Sequence, residues 1–533
     1  MPPARASLGL LTLSCAFLLA SCDSRDNSAL GVAVISAAVA NETLSDTPDG
    51  VQSLVRAATD EGLVAFDAEG RVVPALADRW IITDDGQSYI FRLRDGNWRN
   101  GDELTAASAR SALLSAFKAI QRSPLERDFA GIQDIRVMAG RVVEIRLDRP
   151  MPYFLQLLAQ PEMGLTHEGQ GTGPMIELAA QAPFEASAGQ GDAPSAVQRP
   201  GLLQRLVPIE PSTLGMPAIE GWAARTRSVD LQVLPADAAV RAFNAGKVDL
   251  VLDGRIQDFL LTRSVGILRG SIQLDPVVGL FGLQVLSDKG FLSEPANREA
   301  IGMAIDRVAL IDPFGVGGWQ ATTRIVTPGL DGDLSTIGER WGEQSTEERR
   351  EVAATRVRAW MARQAESQKT SSTPPAKEAQ ASEEPLDNAP ELKLWLPSGE
   401  GAQILFARLA ADLAAVSIRL ERTPDMSKAD LVLIDDVARY PRASWFLNRL
   451  SCTAKQGLCS PEADARVDEA AKAATPEERA ALLAEAEAEL TAANVFIPFG
   501  TPIRWSLVRG SVNGFAANSW GWHPLMPLAW LPK

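Results

Sequence analysis

The residues of this 533-residue chain that could carry chemistry are few, and they are not arranged in a catalytic pattern. Its two histidines, His167 and His523, lie in no Glu-x-x-His or other metal-ligand spacing. The sequence contains no Gly-x-Ser-x-Gly nucleophile turn and no phosphate-binding Walker loop. Paired carboxylates could still hydrolyse a substrate, but no spacing singles out a pair. We therefore predict a protein that is not an enzyme and uses no metal or cofactor; a hydrolase is the weaker alternative.

The amino terminus has the pattern of an export signal. Arg5 precedes an apolar run over residues 8–19, which is short for a membrane span. Residues 19–22, Leu-Ala-Ser-Cys, resemble the bacterial lipobox, whose cysteine receives diacylglycerol before cleavage. Residues 1–21 would then be a lipoprotein signal peptide, and lipidated Cys22 would anchor the folded protein to a membrane. The alternative is an ordinary secretory signal with Cys22 incidental.

The cysteine inventory predicts one disulfide. Cys15 would leave with the signal and Cys22 would carry the lipid, so Cys452 and Cys459 remain as a pair in an oxidising compartment. We expect them to close a short loop. The alternative, metal ligation, lacks further cysteines or a nearby histidine.

The elements that would position a site are clearest in residues 61–106. A short apolar run, 63–66, is followed by Tyr89, Phe91 and Leu93, which alternate with polar residues as in half-buried strands. Thr105 has the side chain of a helix N-cap for residues 106–120. Three pairs mark tight turns: Asp85-Gly86, Asp95-Gly96 and Asn100-Gly101.

The same segment resembles the extracellular solute-binding family 5 of ATP-binding-cassette importers, the peptide and nickel receptors. The family pattern includes D-x-x-G-x-x-x-P-x-L-A-x-x-W, D-G-x-x-Y-x-F-x-L-R and G-x-x-L-T-A. It is filled here by Asp67, Gly70, Pro74, Leu76, Ala77, Trp80, Asp85, Gly86, Tyr89, Phe91, Leu93, Arg94, Gly101, Leu104, Thr105 and Ala106. Shorter similarities follow at residues 171–174, 242–249, 297–307 and 497–499.

The resemblance implies an α/β fold, the two-lobed periplasmic binding protein fold of type II in its larger form, with an extra inserted domain. By analogy, the first lobe would combine residues 28–66, 172–279 and 495–533, the inserted domain would be 67–171, and the second lobe 280–494. Residues 365–390 are rich in Ser, Thr, Pro, Glu, Gln and Lys without apolar periodicity. We therefore expect a disordered surface insertion in the second lobe.

Composition and charge agree with a soluble body and narrow its partners. The chain is 46% hydrophobic and 22% charged, which is typical of globular proteins. Its net charge of −15 disfavours nucleic acid, because phosphates would be repelled. The resemblance implies a periplasmic monomer that binds a small molecule or peptide and meets the permease subunits of an importer. Asp23, after Cys22, is similar to the inner-membrane retention mark of enteric lipoproteins.

The ligand site is predicted from a departure from the family. Many peptide-binding members have a D-x-P-D-P segment leading into F-L, and its second Asp pairs with the α-ammonium group of the peptide. The corresponding residues here are 439–447, and both acids are arginines, Arg439 and Arg442. By this alignment, Arg442 would repel an ammonium group and favour an anionic solute. The predicted ligand-binding residues are Arg439, Tyr440, Arg442 and Trp445.

The alternatives at this site stay open. Arg439 and Arg442 could be solvated or paired internally, for example with Asp435 or Asp436. Tyr440 and Trp445 could fill the core instead of stacking on a ligand. The predicted function is a lipid-anchored receptor that captures a peptide-like or anionic solute by hinge closure. The alternative function is that of a degenerate member acting as a non-transport scaffold or sensory adaptor.

Overall fold

The computed structural model describes residues 29–36, 49–121, 123, 125–178, 203–330, 332–371 and 389–531. The predicted signal peptide, Cys22 and Asp23 lie outside these residues. Among the described residues, no helix combines the length and the apolar character needed to cross a membrane.

The first lobe is built on a seven-stranded sheet. Its central strand, Leu30–Ile35, pairs in parallel with both neighbours, so it is apolar throughout and buried on both faces. Helix Asp49–Thr59 packs on one face and helix Ala236–Asn244 on the other. Across the sheet the strands are Met175–Leu178, Leu203–Pro208, Val229–Leu234, Leu30–Ile35, Leu250–Arg255, Arg504–Val508 and Ile272–Asp275.

The second lobe is built on a five-stranded sheet. The helices Pro295–Ala304 and Glu400–Ala414 bury apolar side chains against one face, and helix Pro476–Ala493 contributes to the core on the other side. Helices Ala443–Arg449 and Pro461–Ala470 complete this side. The strand order is Arg419–Arg422, Glu391–Trp395, Leu431–Val437, Gly279–Val285 and Phe496–Gly500.

The chain passes between the two sheets at two short connections, from Asp275 to Gly279 and from Gly500 to Arg504. The second connection corrects the predicted lobe boundary at residue 495. Strand Phe496–Gly500 pairs with Gly279–Val285 and belongs to the second lobe. The apolar pattern identified a buried strand correctly, but it could not show which sheet edge that strand joins.

The inserted domain holds a four-stranded antiparallel sheet and a helix. The sheet order is Ala77–Ile82, Ser88–Leu93, Val142–Leu147 and Ile132–Val137. The predicted N-cap is confirmed, because the Thr105 hydroxyl accepts a hydrogen bond from Ser108 N at 3.1 Å at the start of helix Ala106–Ile120. The hairpin Val64–Phe66 with Val72–Pro74 spans the predicted boundary at residue 66.

The first seven residues of the predicted disordered insertion are helical. Helix Thr346–Ser371 continues through residues 365–371, which were assigned to the insertion. Ala, Glu, Gln and Lys favour a helix without an apolar face, and extending an existing helix costs little. Residues 372–388 of the predicted insertion lie outside the described residues.

Candidate ligand-binding cleft

A cleft lies where strands of the two sheets end. It consists of two adjoining cavities of about 600 and 720 Å³, a size that suits a small-molecule ligand. Asp253 and Arg255 of the first lobe and Asp435 and Asp436 of the second lobe line both cavities. Because the cavities share these four residues, we treat them as one elongated cleft. The first cavity is the one that Arg439 lines, and the second is the one that Glu400 lines.

A bulge at the end of strand Leu250–Arg255 directs Asp253 toward the cleft. The register against strand Arg504–Val508 shifts between Val251 and Gly254, and Asp253 has a φ of 60°. Bulges commonly re-aim a side chain beside a functional site, and aspartate tolerates the left-handed region better than most residues. Asp253 Oδ2 lies 3.6 Å from Arg255 Nη2. This strand end therefore supplies one carboxylate and one guanidinium.

The opposite side of the cleft is formed by two consecutive acids at the end of strand Leu431–Val437. Arg504 Nη1 donates to Asp435 Oδ1 at 2.7 Å, and both side chains are about nine-tenths buried. Arg449 Nε donates to Asp436 Oδ2 at 2.8 Å. Arg504 begins the strand that follows the second connection between the lobes. The Arg504–Asp435 pair therefore joins the two lobes beside their connection.

The inserted domain supplies a wall of the first cavity through Asp128. Its Oδ1 accepts hydrogen bonds from Tyr440 Oη at 2.7 Å and from Asn448 Nδ2 at 2.8 Å. Burial raises the pKa of Asp128 to about 6, against the lowering effect of those two hydrogen bonds. Tyr153 stacks on Tyr440 with ring centroids 4.4 Å apart. The inserted domain therefore contacts the second lobe through a buried carboxylate and a stacked aromatic pair.

Arg439 lines the first cavity, where it contacts the inserted domain. Its Nη1 donates to Gln160 Oε1 at 3.1 Å, and its Nη2 lies 3.3 Å from Glu162 Oε1. The alternative of internal pairing thus holds for Arg439, although its partner is Glu162 and not Asp435 or Asp436. Its side chain keeps 42% exposure, so it is accessible from the cleft.

Of the other three predicted ligand residues, one lines the cleft and two do not. Trp445 lines the first cavity, although it is 6% exposed. Tyr440 is fully buried, so its predicted contact with a ligand is wrong for this conformation. The guanidinium carbon of Arg442 lies 5.7 Å from the centre of the Tyr153 ring, and Arg442 is not among the described residues that line either cavity. The family alignment predicts that Arg442 lies in the amine site. In the structure, Arg442 is the N-cap residue of helix Ala443–Arg449, and its side chain turns toward Tyr153.

The second cavity is predominantly acidic. Asp237, Asp258 and Glu400 line it in addition to the four shared residues. Burial raises the pKa of Asp258 to about 6, although the charge of Arg255 opposes this rise. A cationic group in this cavity would favour the ionised form of Asp258.

Sequence reasoning did not select the cleft acids as site residues. Asp435 and Asp436 were considered only as partners for arginines, and Asp253, Asp128 and Glu162 were not considered. One signal was available for three of them: acids follow the buried apolar run of a strand and lie near its carboxyl end, at residues 253 and 435–436. Ligands of α/β proteins commonly bind at such carboxyl ends. Asp128 and Glu162 carry no comparable signal, since they reach the cleft only through domain packing.

The predicted disulfide and the two histidines lie away from the cleft lining. Cys452 and Cys459 are joined by a disulfide with a Cα–Cα distance of 5.1 Å. His523 is buried, with Nε2 3.2 Å from Asp275 Oδ2. Asp102, His167 and Glu168 bring possible metal-ligand atoms within 4.8 Å of one another on the inserted domain.

Comparisons with known proteins agree with this architecture. Residues 71–195 match the model of bacterial extracellular solute-binding proteins, family 5 Middle. The probable deoxycholate-binding periplasmic protein of Escherichia coli (strain K12) is 35% identical over 121 residues, which are 19% of this chain and 23% of that protein. The probable di/tripeptide-binding protein 5 of Pseudomonas aeruginosa is 24% identical over 515 residues, which are 86% of this chain and 87% of that protein.

Solved structures share the whole fold. The crystal structure of the Haemophilus influenzae OppA complex with RPPGFSPFR has a TM-score of 0.71 and 16% identity, and the match covers 95% of this chain and 100% of that one. The predicted α/β, two-lobed periplasmic binding protein fold of type II is thereby confirmed. The match to the first curated relatives spans less than a quarter of their length, 23% in the Escherichia coli protein.

Proposed function

We propose that this chain is a member of the bacterial extracellular solute-binding proteins of family 5 and that it is the ligand-binding receptor of an ATP-binding-cassette importer. The observation that carries the proposal is the elongated cleft, which takes polar side chains from both lobes and from the inserted domain. The receptor captures its solute in the cleft and delivers it to permease subunits in the membrane as a monomer.

The two-lobed architecture supports capture of a solute by hinge closure of the lobes. Within the described residues, the chain crosses between the two sheets at two short connections, 275–279 and 500–504. A solute that contacts both lobes stabilises the closed form, whereas a solute that contacts one lobe cannot shift the equilibrium. Asp253 and Asp435 lie on opposite lobes and line the same cavities, so one ligand can contact both.

The proposed ligand is a peptide-like or anionic small solute. Arg56, Arg439 and Trp445 line the first cavity, and an arginine fork suits a carboxylate. The names of the relatives support both options. The Pseudomonas aeruginosa protein is described as di/tripeptide-binding and the Escherichia coli protein as deoxycholate-binding, and deoxycholate carries a carboxylate.

The proposed location is the periplasm, with the receptor tethered to the inner membrane through Cys22. The lipobox-like residues 19–22 support lipidation, and Asp23 supports inner-membrane retention. Changing Cys22→Ser should move the protein from the membrane pellet to the soluble periplasmic fraction. If the variant stays in the pellet after carbonate washing, Cys22 is not the anchor.

The proposal assigns no catalysis to the chain. The relatives named above are described as binding proteins. The cleft acids also suit binding, because Asp435 and Asp436 are each held by an arginine.

Native mass spectrometry of the protein, purified without unfolding, tests the receptor. We expect a discrete bound solute that is released on unfolding, because a closed cleft can retain its ligand. The released molecule should be peptide-like or anionic. A clean unliganded mass, with no gain in thermal stability from a panel of peptides and organic anions, would favour the scaffold or sensory alternative.

A further inference from the structure

Two distant segments of the chain meet at the amino-terminal end of the central strand of the first lobe. The strand Leu30–Ile35 begins beside residues 226–228, where Leu30 N donates to Ser228 O at 2.8 Å. Backbone hydrogen bonds then join residues 225–227 to residues 529–531, with Arg227 N to Ala529 O and Leu531 N to Arg225 O both at 2.9 Å. The residues before strand Val229–Leu234 and those near the carboxyl terminus therefore share this end of the sheet.

Two tryptophans and an arginine form the surface at this end. The rings of Trp222 and Trp530 meet edge to face, with centroids 5.2 Å apart. The guanidinium carbon of Arg225 lies 5.5 Å from the centre of the Trp530 ring. Both tryptophans are partly exposed and Arg225 is exposed. We call Trp222, Arg225 and Trp530 the strand-end patch.

The chain around Trp222 has little charge. Pro217, Ala218, Ala223 and Ala224 are exposed, and Glu220 is the one acid in residues 216–225. Indole rings favour the headgroup region of a bilayer, where the ring meets apolar tails and the N–H meets water. An arginine beside them can lay its stem along apolar surface while its head reaches a phosphate. The composition of the patch therefore suits a lipid surface.

The proposed lipid anchor lies close to the strand-end patch. Cys22 and Leu30 are eight positions apart, so even a fully extended chain between them spans at most about 29 Å. A compact chain of this length has a radius of gyration of about 24 Å, so its far side lies beyond that reach. A lipidated Cys22 therefore holds the Leu30 end of the sheet, and the patch beside it, near the bilayer.

We propose that the strand-end patch lies against the lipid headgroups of the membrane that anchors the receptor. This inference rests on the proposed lipidation of Cys22 and goes beyond it, because a tether alone leaves the folded body free to rotate. Arg225 favours anionic phospholipid, since a juxtamembrane arginine is attracted by the negative surface potential of such lipids. The net charge of −15 opposes approach through acidic faces of the molecule, which sharpens the orientation.

The orientation leaves the cleft accessible to solutes. Leu30 begins the central strand at the patch, whereas Ile35 and Ser36, at the other end, line the second cavity. The patch and the cleft are therefore separated by the length of this strand. Capture of a solute does not require the patch to leave the lipid.

Fluorescence quenching on the mature lipidated protein tests the contact. The protein is bound to vesicles of equal parts phosphatidylcholine and phosphatidylglycerol that contain a lipid with a nitroxide near its headgroup. An environment-sensitive label is attached in Ala223→Cys, beside Trp222, or in Ser398→Cys, which is exposed and lines the second cavity. We expect quenching at position 223 to exceed that at position 398 by about threefold or more. Vesicles of phosphatidylcholine alone should quench position 223 less, because Arg225 loses its anionic partner.

Substitutions in the patch should remove the contact without removing the anchor. Trp222→Ala combined with Arg225→Gln should bring quenching at position 223 to within about twofold of that at position 398, while the protein still floats with the vesicles. The matched control is Arg419→Gln, which removes an arginine of the second lobe that is 59% exposed, and it should leave the quenching unchanged. If the combined variant does not fold, Arg225→Gln alone should lower quenching at position 223 to the value in phosphatidylcholine vesicles.

The outcomes separate the patch from the anchor. If the protein floats with the vesicles but positions 223 and 398 are quenched equally, the lipid contact is wrong and the anchor stands. Quenching at position 223 that survives the patch substitutions also overturns it. A blue shift of the label in inner-membrane vesicles, without quenching in pure lipid vesicles, would assign the patch to a membrane protein. If the protein does not float with the vesicles, the anchor itself is contradicted, and the inference falls with it.

Discussion

The second lobe contributes to two buried ionic clusters that are similar in composition and different in completeness. In the structural cluster, Arg324 holds Asp333 at 2.9 Å and Glu487 at 2.8 Å, and all three side chains are at most 3% exposed. All four carboxylate oxygens accept hydrogen bonds, including bonds from the backbone of Gly329 and Val326. In the cleft, Asp435 is held by Arg504, but one of its oxygens accepts nothing.

The two networks differ in how completely the protein itself satisfies their carboxylates. Burial alone would raise the pKa of Asp333, but hydrogen bonds from Arg324 and from backbone amides hold that pKa below its usual range. Such a network gains nothing from a further donor. Asp435 and Glu162 retain acceptor capacity that protein groups do not use. Asp333 and Asp435 are both buried and both paired with an arginine, so the completeness of their hydrogen bonding is what differs.

The largest predicted effect breaks the structural cluster. Arg324→Met leaves Asp333 and Glu487 buried without a cation, so we expect the free energy of unfolding to fall by about 3–5 kcal/mol. Affinity for trialanine, a probe of the proposed peptide-like ligand class, should not change, because Arg324 does not line the cleft. Chemical denaturation measures the stability, and calorimetry with trialanine measures the affinity.

The control for this prediction is an exposed ion pair between an arginine and a glutamate in the same lobe. Arg419 lies 3.7 Å from Glu391, with exposures of 59% and 43%. Arg419→Met should lower stability by less than about 1 kcal/mol. Equal losses in the two variants would show that the core cluster does not stabilise the fold as its geometry indicates.

The second prediction concerns Asp128, a buried carboxylate that accepts hydrogen bonds from Tyr440 and Asn448 and has no ion pair among the described residues. Burial raises its pKa from an ordinary 3.8 to about 6, so the folded protein binds a proton more tightly than the unfolded chain does. Its stabilising contribution is therefore present below about pH 4 and is lost as the pH rises through about 6. The full change is roughly 3 kcal/mol for a shift of about two pKa units.

Asp128→Asn provides the matched comparison. The variant cannot titrate at this position, so its free energy of unfolding should fall less than that of the wild type between pH 4.5 and 7.5. Tyr153 and Tyr440, which contact this region, remain protonated over that range because burial raises their pKa values above 10. Parallel pH profiles for wild type and variant would mean that Asp128 does not couple protonation to the contact between inserted domain and second lobe.

Local patterns predicted the fold more fully than the site. Several local features depend only on neighbours in sequence, and the structure shows them where they were expected: the turns at Asp85-Gly86 and Asn100-Gly101, the alternation of Tyr89, Phe91 and Leu93, and the cap at Thr105. The third predicted turn, Asp95-Gly96, is a bend without the hydrogen bond of a turn. The cleft depends on contacts between distant residues. Glu162 meets Arg439 across 277 positions, and no local pattern at either residue specifies the other. The left-handed Asp253 likewise follows from a bulge set by strand pairing.

The smallest predicted effect tests the two arginines of the segment at residues 439–447. Arg439 lines the first cavity beside Glu162, whereas Arg442 lies over the ring of Tyr153. Arg442→Gln should therefore change affinity for trialanine by less than about threefold, with a stability loss of roughly 0.5–1 kcal/mol from the lost cation–π contact. Arg439→Gln should change affinity more, because Glu162 loses its cation at the cavity wall. If Arg442→Gln has the larger effect on affinity, the alignment that places Arg442 in the ligand site is correct, and the cleft must rearrange on binding so that this guanidinium leaves Tyr153.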